Sequence, residues 1–245
     1  MLFGLNAESK TPETQGKPIS SQQSEDNDFQ EYSYQEEEIY DPLEKYNRKI
    51  FIFNDYLDRY FLEYVARTYR DIPKPARTLI RNFLNNISSP ISAFNSMLQG
   101  KTDNTLATFS NFLINSTIGV GGLFKVAEEK GIRYRPEDFG QTLGHYGVNS
   151  GPFLMLPLFG PSSVRDFSGI VTDQMLNPAS FNALKLGGKN YLIGEKELFA
   201  LTVIRAVDTR ESLIEIIDDT RKESFDFYAT LRSAYIQKRS NDIKN

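Results

Sequence analysis

Residues 41–61 read DPLEKYNRKIFIFNDYLDRYF. Asp41 followed by Pro42 is a helix-start pair, with a side chain that caps and a ring whose fixed φ and missing N–H suit the first position. Behind it Leu43, Tyr46, Ile50, Phe53, Leu57, Tyr60 and Phe61 recur at steps of three and four. That is the period of one helix face, not the alternation of a strand.

Downstream the same pattern continues. Pro73 and Pro75 break the chain after Arg70, and a second helix is predicted from about Pro75, burying Leu79, Phe83, Leu84 and Ile87. Ser89-Pro90 reads as another cap-and-start pair, opening a segment that stops at Gly100. Thr102-Asp103 restarts a helix through about Asn115, interrupted by Gly119, Gly121 and Gly122, and Asn177-Pro178 repeats the start signal. From about Leu192 to Arg239 there is no proline. There Leu198, Leu201, Ile204, Val207, Leu213, Ile217, Phe225, Tyr228, Leu231 and Tyr235 make an apolar stripe, opposed by Glu195, Lys196, Arg205, Asp208, Arg210, Glu211, Asp218, Asp219, Arg221 and Lys222. This predicts one long helix or two joined near 209–212, with the charges facing water. Strand candidates are few and no repeat is visible, so the predicted fold class is all-α.

Upstream the character changes. Residues 1–40 carry nine acids against two bases, a net of −7, while 41–245 carry 26 bases and 23 acids, a net of +3. The stretch 6–38 has no helical or strand period and too little apolar area to offset its ordering entropy, which predicts a disordered acidic tail or linker over 1–40 and one folded domain over 41–245. A net of +3 without a basic stripe argues against nucleic acid. Zero cysteines exclude disulfides, thiol catalysis and cysteine-ligated metals. Met1–Leu5 is too short for the apolar core of a secretory signal, and no stretch has the twenty or so apolar residues of a membrane span.

The middle of the chain is uncharged. Twenty-one residues separate Asp103 from Lys125, and twenty-six separate Asp138 from Arg165. Both stretches interleave Asn, Thr, Ser and Gln with bulky apolar residues, as in Phe153-Leu154-Met155-Leu156-Pro157-Leu158-Phe159. Two readings stand. One is a packed core whose polar groups satisfy one another. The other is a protein seated in a bilayer leaflet, where charge is costly and irregular Gly/Pro backbone must pack against protein or line a cavity. In the second, Asn111, Asn115, Gln141 and Thr142 line a path for lipid headgroups, and Phe153, Leu154, Leu156 and Phe159 face acyl chains.

Catalytic chemistry finds no home. His145 is the sole histidine, and Gly147-Val148-Asn149-Ser150-Gly151 lacks the one-residue spacing of a nucleophile elbow. Gly119-x-Gly121-Gly122 is followed by Phe124 where a dinucleotide loop needs its third glycine. Glu36–Glu38, Glu128-Glu129 and Asp218-Asp219 read as solvated faces. No enzyme activity, cofactor or metal is expected.

Two long motifs carry a resemblance. DPLEKYNRKIFIFN (41–54) resembles the opening motif of the MlaA/VacJ family, Asp-Pro-x-Glu-x-x-Asn-Arg followed by Phe-x-Phe-Asn, and FGQTLGHYGVNSGP (139–152) resembles its central signature, continuing through LPLFGPSSVRD (156–166). Smaller similarities are Arg70-Asp71 with Pro75-Ala76-Arg77, Leu98-Gln99-Gly100, and Asn115-x-x-Ile118-Gly119-x-Gly121-Gly122. The resemblance spans roughly 41–235. It implies a compact, ring-like helical bundle with a central amphipathic channel, seated in the periplasmic leaflet of a bacterial outer membrane. Such a protein takes phospholipids misplaced in the outer leaflet and passes them to a periplasmic lipid-carrier protein, and it associates with a trimeric porin. The family is typically made with a signal peptide ending in an acylated cysteine. This chain shows neither, so either the start lies upstream or embedded apolar surface alone anchors it.

Within that resemblance, Asp41, Pro42, Glu44 and Arg48 are expected to fix the first helix, and Asn47, Asn54, Phe51 and Phe53 to form a gate beside the channel. Gly140, Gly144, Gly147 and Gly151 are expected to permit tight turns along the lipid path, and Pro152, Pro157, Gly160 and Pro161 to shape the same segment. Arg165 and Asp166 are expected to clamp a helix start; if one holds phosphate it is Arg165, whose planar fork suits it. The competing reading is a surface-associated structural or interaction protein without lipid transport.

Overall fold

The computed structural model describes residues 41–176 and 195–244. The acidic tail over 1–40 and the Asn177-Pro178 start fall outside the described residues. Ten helices and one hairpin make up the described part: α1 (Glu44–Leu57), a π-helical turn (Asp58–Leu62), α2 (Glu63–Arg70), α3 (Lys74–Leu98), α4 (Thr102–Thr117), α5 (Val126–Glu129), α6 (Phe139–His145), β1 (Phe153–Leu156), β2 (Gly160–Ser163), α7 (Val164–Leu176), α8 (Glu195–Ser212), α9 (Ile214–Glu223) and α10 (Phe227–Lys244). The all-α expectation holds, with the hairpin as a small exception.

The first helix starts two residues later than its motif suggests. Leu43 is the residue before α1 and no side chain caps it. Asp41 is not the cap: its carboxylate accepts from Asn47 Nδ2 at 2.8 Å, from Arg232 Nη1 at 2.9 Å and from the Tyr228 hydroxyl. The motif's aspartate therefore ties α1 to α10. The π turn at Asp58 lets that side chain lean out of the helix line to meet Arg210 at 2.6 and 3.0 Å and Arg221 at 2.9 Å.

Ser89-Pro90 starts no helix, because α3 runs unbroken through Pro90. The missing N–H and the crowded turn before the ring are offset by hydroxyls: Ser88 Oγ donates to Leu84 O at 3.3 Å and Ser89 Oγ to Asn85 O at 3.1 Å. The end at Gly100 is as predicted. Gly100, at φ +71°, donates to Met97 O at 3.0 Å while Lys101 donates to Ser96 O at 3.1 Å, a Schellman closure.

The C-terminal run is three helices, not one or two. It breaks at Leu213, close to the expected joint, and again after Ser224, whose ψ of 134° leaves the helical region. Asp226 then accepts from Ala229 N at 3.2 Å and opens α10.

β1 and β2 pair antiparallel with Phe153 opposite Ser163, Leu154 opposite Ser162, Met155 opposite Pro161 and Leu156 opposite Gly160. Phe153 and Met155 point into a small apolar core with Tyr228, walled by Ile50, Phe51, Leu231 and Tyr235. Phe51 meets Phe227 and Tyr228 edge-on at 5.4 and 5.6 Å.

Candidate lipid-facing site

The described residues are packed inside out. Nine apolar side chains are buried against twenty polar or charged ones, while thirty-two large apolar side chains stand exposed. A buried polar set beside an exposed apolar face is the informative inversion of the usual rule, and an apolar patch of this kind marks an interaction surface.

Helices α3 and α4 show it residue by residue. The buried stripe of α3 is Asn86, Ser89, Ser92, Ala93, Asn95, Ser96 and then Gln99, and that of α4 is Thr108, Asn111 and Asn115. The outward residues are Phe94 and Met97 on α3, then Leu106, Phe109, Leu113, Ile118, Val120 and Phe124 on α4 and the turn after it; Leu106 is 66% exposed and Ile118 68%. The first helix, the π turn and α2 repeat the arrangement: Tyr46, Phe53, Tyr60 and Phe61, read as one helical face, are exposed together with Ile52, Tyr56 and Tyr64. In α8 the expected water-facing charges Asp208, Arg210 and Glu211 are buried, while Phe199, Val203 and Ile204 are exposed.

Most of the polar interior is hydrogen-bonded locally. Gln99 Nε2 donates to Glu137 Oε2 at 3.0 Å and Thr142 Oγ1 at 3.1 Å, and Lys101 Nζ reaches Glu137 Oε1 at 2.8 Å. Thr142 Oγ1 donates to Asn95 Oδ1 at 3.1 Å, and Asn95 Nδ2 donates to Asp173 Oδ1 at 2.8 Å. Asn115 takes the Ala127 N–H at 2.9 Å and gives its own to Glu128 Oε2 at 2.9 Å. Asn111 Nδ2 donates to Ile132 O at 2.8 Å. Elements of both readings thus coexist: most of the buried polar groups are hydrogen-bonded to protein inside, with Asn111 Oδ1 left without a partner, and the bulky groups face out.

The candidate path residues accordingly divide. Asn111, Asn115, Gln141 and Thr142 are buried and bonded to protein. Asn47 is buried, giving Nδ2 to Phe153 O at 2.9 Å and taking Met155 N–H on Oδ1 at 2.9 Å; Asn54, seven residues on, does the same with Leu156 O and Leu158 N at 2.9 Å each. Two turns of helix bring both amides to the edge of β1, where they pair with it as a neighbouring strand would. These two therefore hold the hairpin rather than line open space. Phe153 is buried, Leu154, Leu156 and Phe51 are half-buried, and Phe53 and Phe159 are exposed at 53% and 70%.

Among the ion pairs of the described residues, three groups tie the helices around the hairpin and α8. Glu44 and Asp226 flank Arg48, at 2.6 Å each, and their hydrogen bonds raise its pKa. Arg70, Arg77 and Arg81 converge on Asp208 and Glu211, tying α2 and α3 to α8. Arg239 holds Asp138 at 2.7 Å and Asp166 at 2.9 Å. Burial pushes the Asp166 carboxyl up, but Arg239, Tyr235 and Arg165 outweigh it and hold it far below the usual carboxylate range. Arg165 Nε sits 3.0 Å from Asp166 Oδ1, side chain buried, so its fork is engaged at the start of α7.

Two of the four expected turn glycines have another role. Gly140 and Gly144 lie within α6, where a Cβ on Gly140 would stand 2.7 Å from Asp166 Oδ1 and one on Gly144 would stand 2.7 Å from Ile243 Cδ1. They clear space for the Asp166–Arg239 pair and for α10. Gly147 and Gly151, at φ +81° and +67°, are turn residues as expected. His145 is exposed and meets Tyr146 edge-on at 5.3 Å. Among the described residues no three acidic or histidine side chains gather as for a metal, and no helix is long and apolar enough to cross a membrane.

Residues 39–242 match the MlaA lipoprotein family. The chain is 35% identical over 204 residues to the intermembrane phospholipid transport system lipoprotein MlaA of Escherichia coli K12, covering 81% of this chain and 76% of that one. It is 31% identical to the protein of the same name from Haemophilus influenzae, covering 80% and 76%, and 38% identical to an uncharacterized protein of Rickettsia bellii, covering 84% and 78%. A solved structure described as the structural basis for maintenance of bacterial outer membrane lipid asymmetry superposes with a TM-score of 0.72 at 35% identity, covering 83% of this chain and 98% of that one.

Proposed function

This chain belongs to the MlaA lipoprotein family, and we propose that it is the outer-membrane phospholipid-transport component that removes mislocalised phospholipid from the outer leaflet and maintains lipid asymmetry. The observation that carries the reading is the inversion of α3 and α4: amides and hydroxyls inside, Phe, Leu, Ile and Met outside. In water that outer face would be a large uncompensated apolar surface. In a leaflet it meets acyl chains, and each Leu or Phe placed there contributes roughly 1.5–3 kcal/mol. No helix among the described residues is long and apolar enough to cross the bilayer; in this reading the outward apolar face seats the protein in the periplasmic leaflet. Its partners are the phospholipid, a trimeric porin that steadies it in the bilayer, and a soluble periplasmic carrier that receives the lipid. The role is movement of intact lipid, with no bond made or broken.

The test is purification of the full chain with and without detergent, with extraction and phosphorus assay of co-purifying lipid. The reading expects detergent dependence and recovered phospholipid. Leu106→Asp with Phe109→Asp places two charges on the outward face, at about 2.5–3.5 kcal/mol each at hydrocarbon depth, and should cut partition to vesicles at least about 100-fold. Protein that stays monodisperse without detergent and carries no phospholipid overturns the reading.

A further inference from the structure

Beside the inward face of α3 lies a second feature, away from the outward apolar surface. A cavity of about 390 Å³ opens between α3, the turn before α5, the segment 133–136 and α8. Its volume falls within the roughly 300–1,000 Å³ of small-ligand pockets. Three cations line it, Lys125, Arg133 and Arg205, against the single carboxylate of Glu128.

The cations differ in how they are matched. Lys125 sits 3.7 Å from Glu128, which also accepts from Asn115 at 2.9 Å. Arg133 is exposed and has no hydrogen bond or ion pair among the described residues. Arg205 is the unusual member. It comes from α8 and gives Nη2 to the Leu84 carbonyl and to Ser88 Oγ at 2.7 Å, both neutral acceptors. No carboxylate lies within ion-pair distance of it among the described residues, because the Asp208 carboxylate one turn on is held by Arg81 at 2.8 and 3.0 Å. Burial holds the Arg205 guanidinium below its ordinary value. A cation withdrawn from water without a counter-charge is costly, and every other guanidinium buried as deeply here has a carboxylate.

Of the serine hydroxyls around the cavity, Ser88 and Ser89 give their hydrogens to the Leu84 and Asn85 carbonyls, and Ser92 keeps its own. Ser92 Oγ accepts the Glu137 N–H at 2.8 Å and keeps its own hydrogen to give. The Tyr134 hydroxyl stands 3.2 Å from Ser89 Oγ. Forked guanidinium donors from two sides, an ammonium and the Ser92 hydroxyl make a donor set suited to a tetrahedral oxyanion. We infer that the cavity between α3, α8 and the 133–136 segment is a phosphate-binding subsite, with Arg205 and Arg133 as its principal ligands. The phosphate is either the headgroup of a phospholipid or a free phosphate from the surrounding fluid. The headgroup version rests on the lipid-transport reading above; the free-phosphate version does not.

Arg133→Gln is the variant of choice, since Arg133 has no partner to lose. Arg205→Lys, which keeps the charge but not the fork, is the second. Full-length protein in detergent is titrated with inorganic phosphate and with glycerol 3-phosphate by calorimetry, and phospholipid recovered from cells is measured in parallel. The subsite predicts binding by the parent protein and about a 10-fold loss in Arg133→Gln, the worth of one charge-assisted contact. If phospholipid recovery falls with it, the headgroup is the source; if recovery is unchanged, free phosphate is. No measurable phosphate binding by the parent, with recovery unchanged in both variants, overturns the subsite and leaves the transport reading standing. Phosphate binding without phospholipid recovery from any version overturns the transport reading and leaves the subsite standing.

Discussion

Replacing Asn47 by Ala should destabilise the protein far more than replacing Asn54, although both asparagines make the same pair of bonds to β1. Asn47 is 2% exposed, and its amide serves Phe153 O, Met155 N and Asp41 Oδ1 at 2.8–2.9 Å. Alanine leaves a buried N–H and a buried carbonyl unpaired, at about 1–3 kcal/mol each, and opens space beside the Phe153–Tyr228 core. A total of about 3–5 kcal/mol is expected. Asn54 faces Leu156 O and the Leu158 N–H, and Leu158 is 67% exposed, so water replaces the lost partners. Its loss should cost about 1 kcal/mol. For a domain of this size, 1 kcal/mol shifts the midpoint by about 2–4 °C. Thermal unfolding of detergent-solubilised protein, followed by far-ultraviolet circular dichroism, should show a drop of at least about 6 °C for Asn47→Ala and about 4 °C or less for Asn54→Ala. Equal shifts, or the reverse order, would refute the view that these amides act as a substitute strand with one buried end.

Four further outcomes are expected. Asp58, Asp138 and Asp166 are each pushed up by burial and drawn down further by their arginines, to a net value below their unfolded one. Their contribution is therefore complete above the ordinary carboxylate range and lost as pH falls through the depressed values; unfolding midpoints should be level from pH 5 to 7 and decline below about pH 4, and a midpoint that rises on acidification contradicts this. Gly140→Ala should cost about 1–3 kcal/mol by intruding on Asp166 and Arg239, and more than Gly147→Ala, which meets nothing within 4 Å and carries only a positive φ; chemical denaturation of the two variants ranks them. His145→Ala should leave lipid asymmetry in cells unchanged, since the ring is exposed and meets Tyr146 edge-on; complete loss with an intact fold would point to a hydrolytic role. Calorimetry should give a heat-capacity change on unfolding below the usual 12–15 cal/mol/K per residue, because so few of the buried side chains are apolar.

Helical period was legible in the sequence, and with it the class of fold, the Gly100 stop and the restart at Thr102. What the period could not say was which face turns inward. Tyr46, Phe53 and Tyr60 recur at helical spacing whether the surrounding medium is protein or lipid, so spacing alone did not show that this face is exposed. The reverse holds on α3: Asn86, Ser89, Ser92, Asn95 and Gln99 are spaced by three or four, a polar stripe as regular as any apolar one, and its significance appears only when the outward Phe94 and Met97 are set against it. Pro90 misled because a helix break is the default for proline, and hydroxyl back-bonding from Ser88 and Ser89 overrides it. The hairpin was hidden in an apolar run too short to show alternation, and its partners Asn47 and Asn54 lie about a hundred residues away. Arg205 looked like one more charge on a solvated helix face, and only the third dimension removes its carboxylates.

The amide-and-hydroxyl interior of α3 and α4 also bears on how the polypeptide reaches its final form. Nothing in that stripe drives collapse in an aqueous compartment, and the residues that would collapse are those destined to stay outside. A surrounding that shields Leu106, Phe109 and Ile118 therefore favours the arrangement in which Asn95 bonds Asp173, Asn111 bonds the Ile132 carbonyl and Asn115 bonds Glu128.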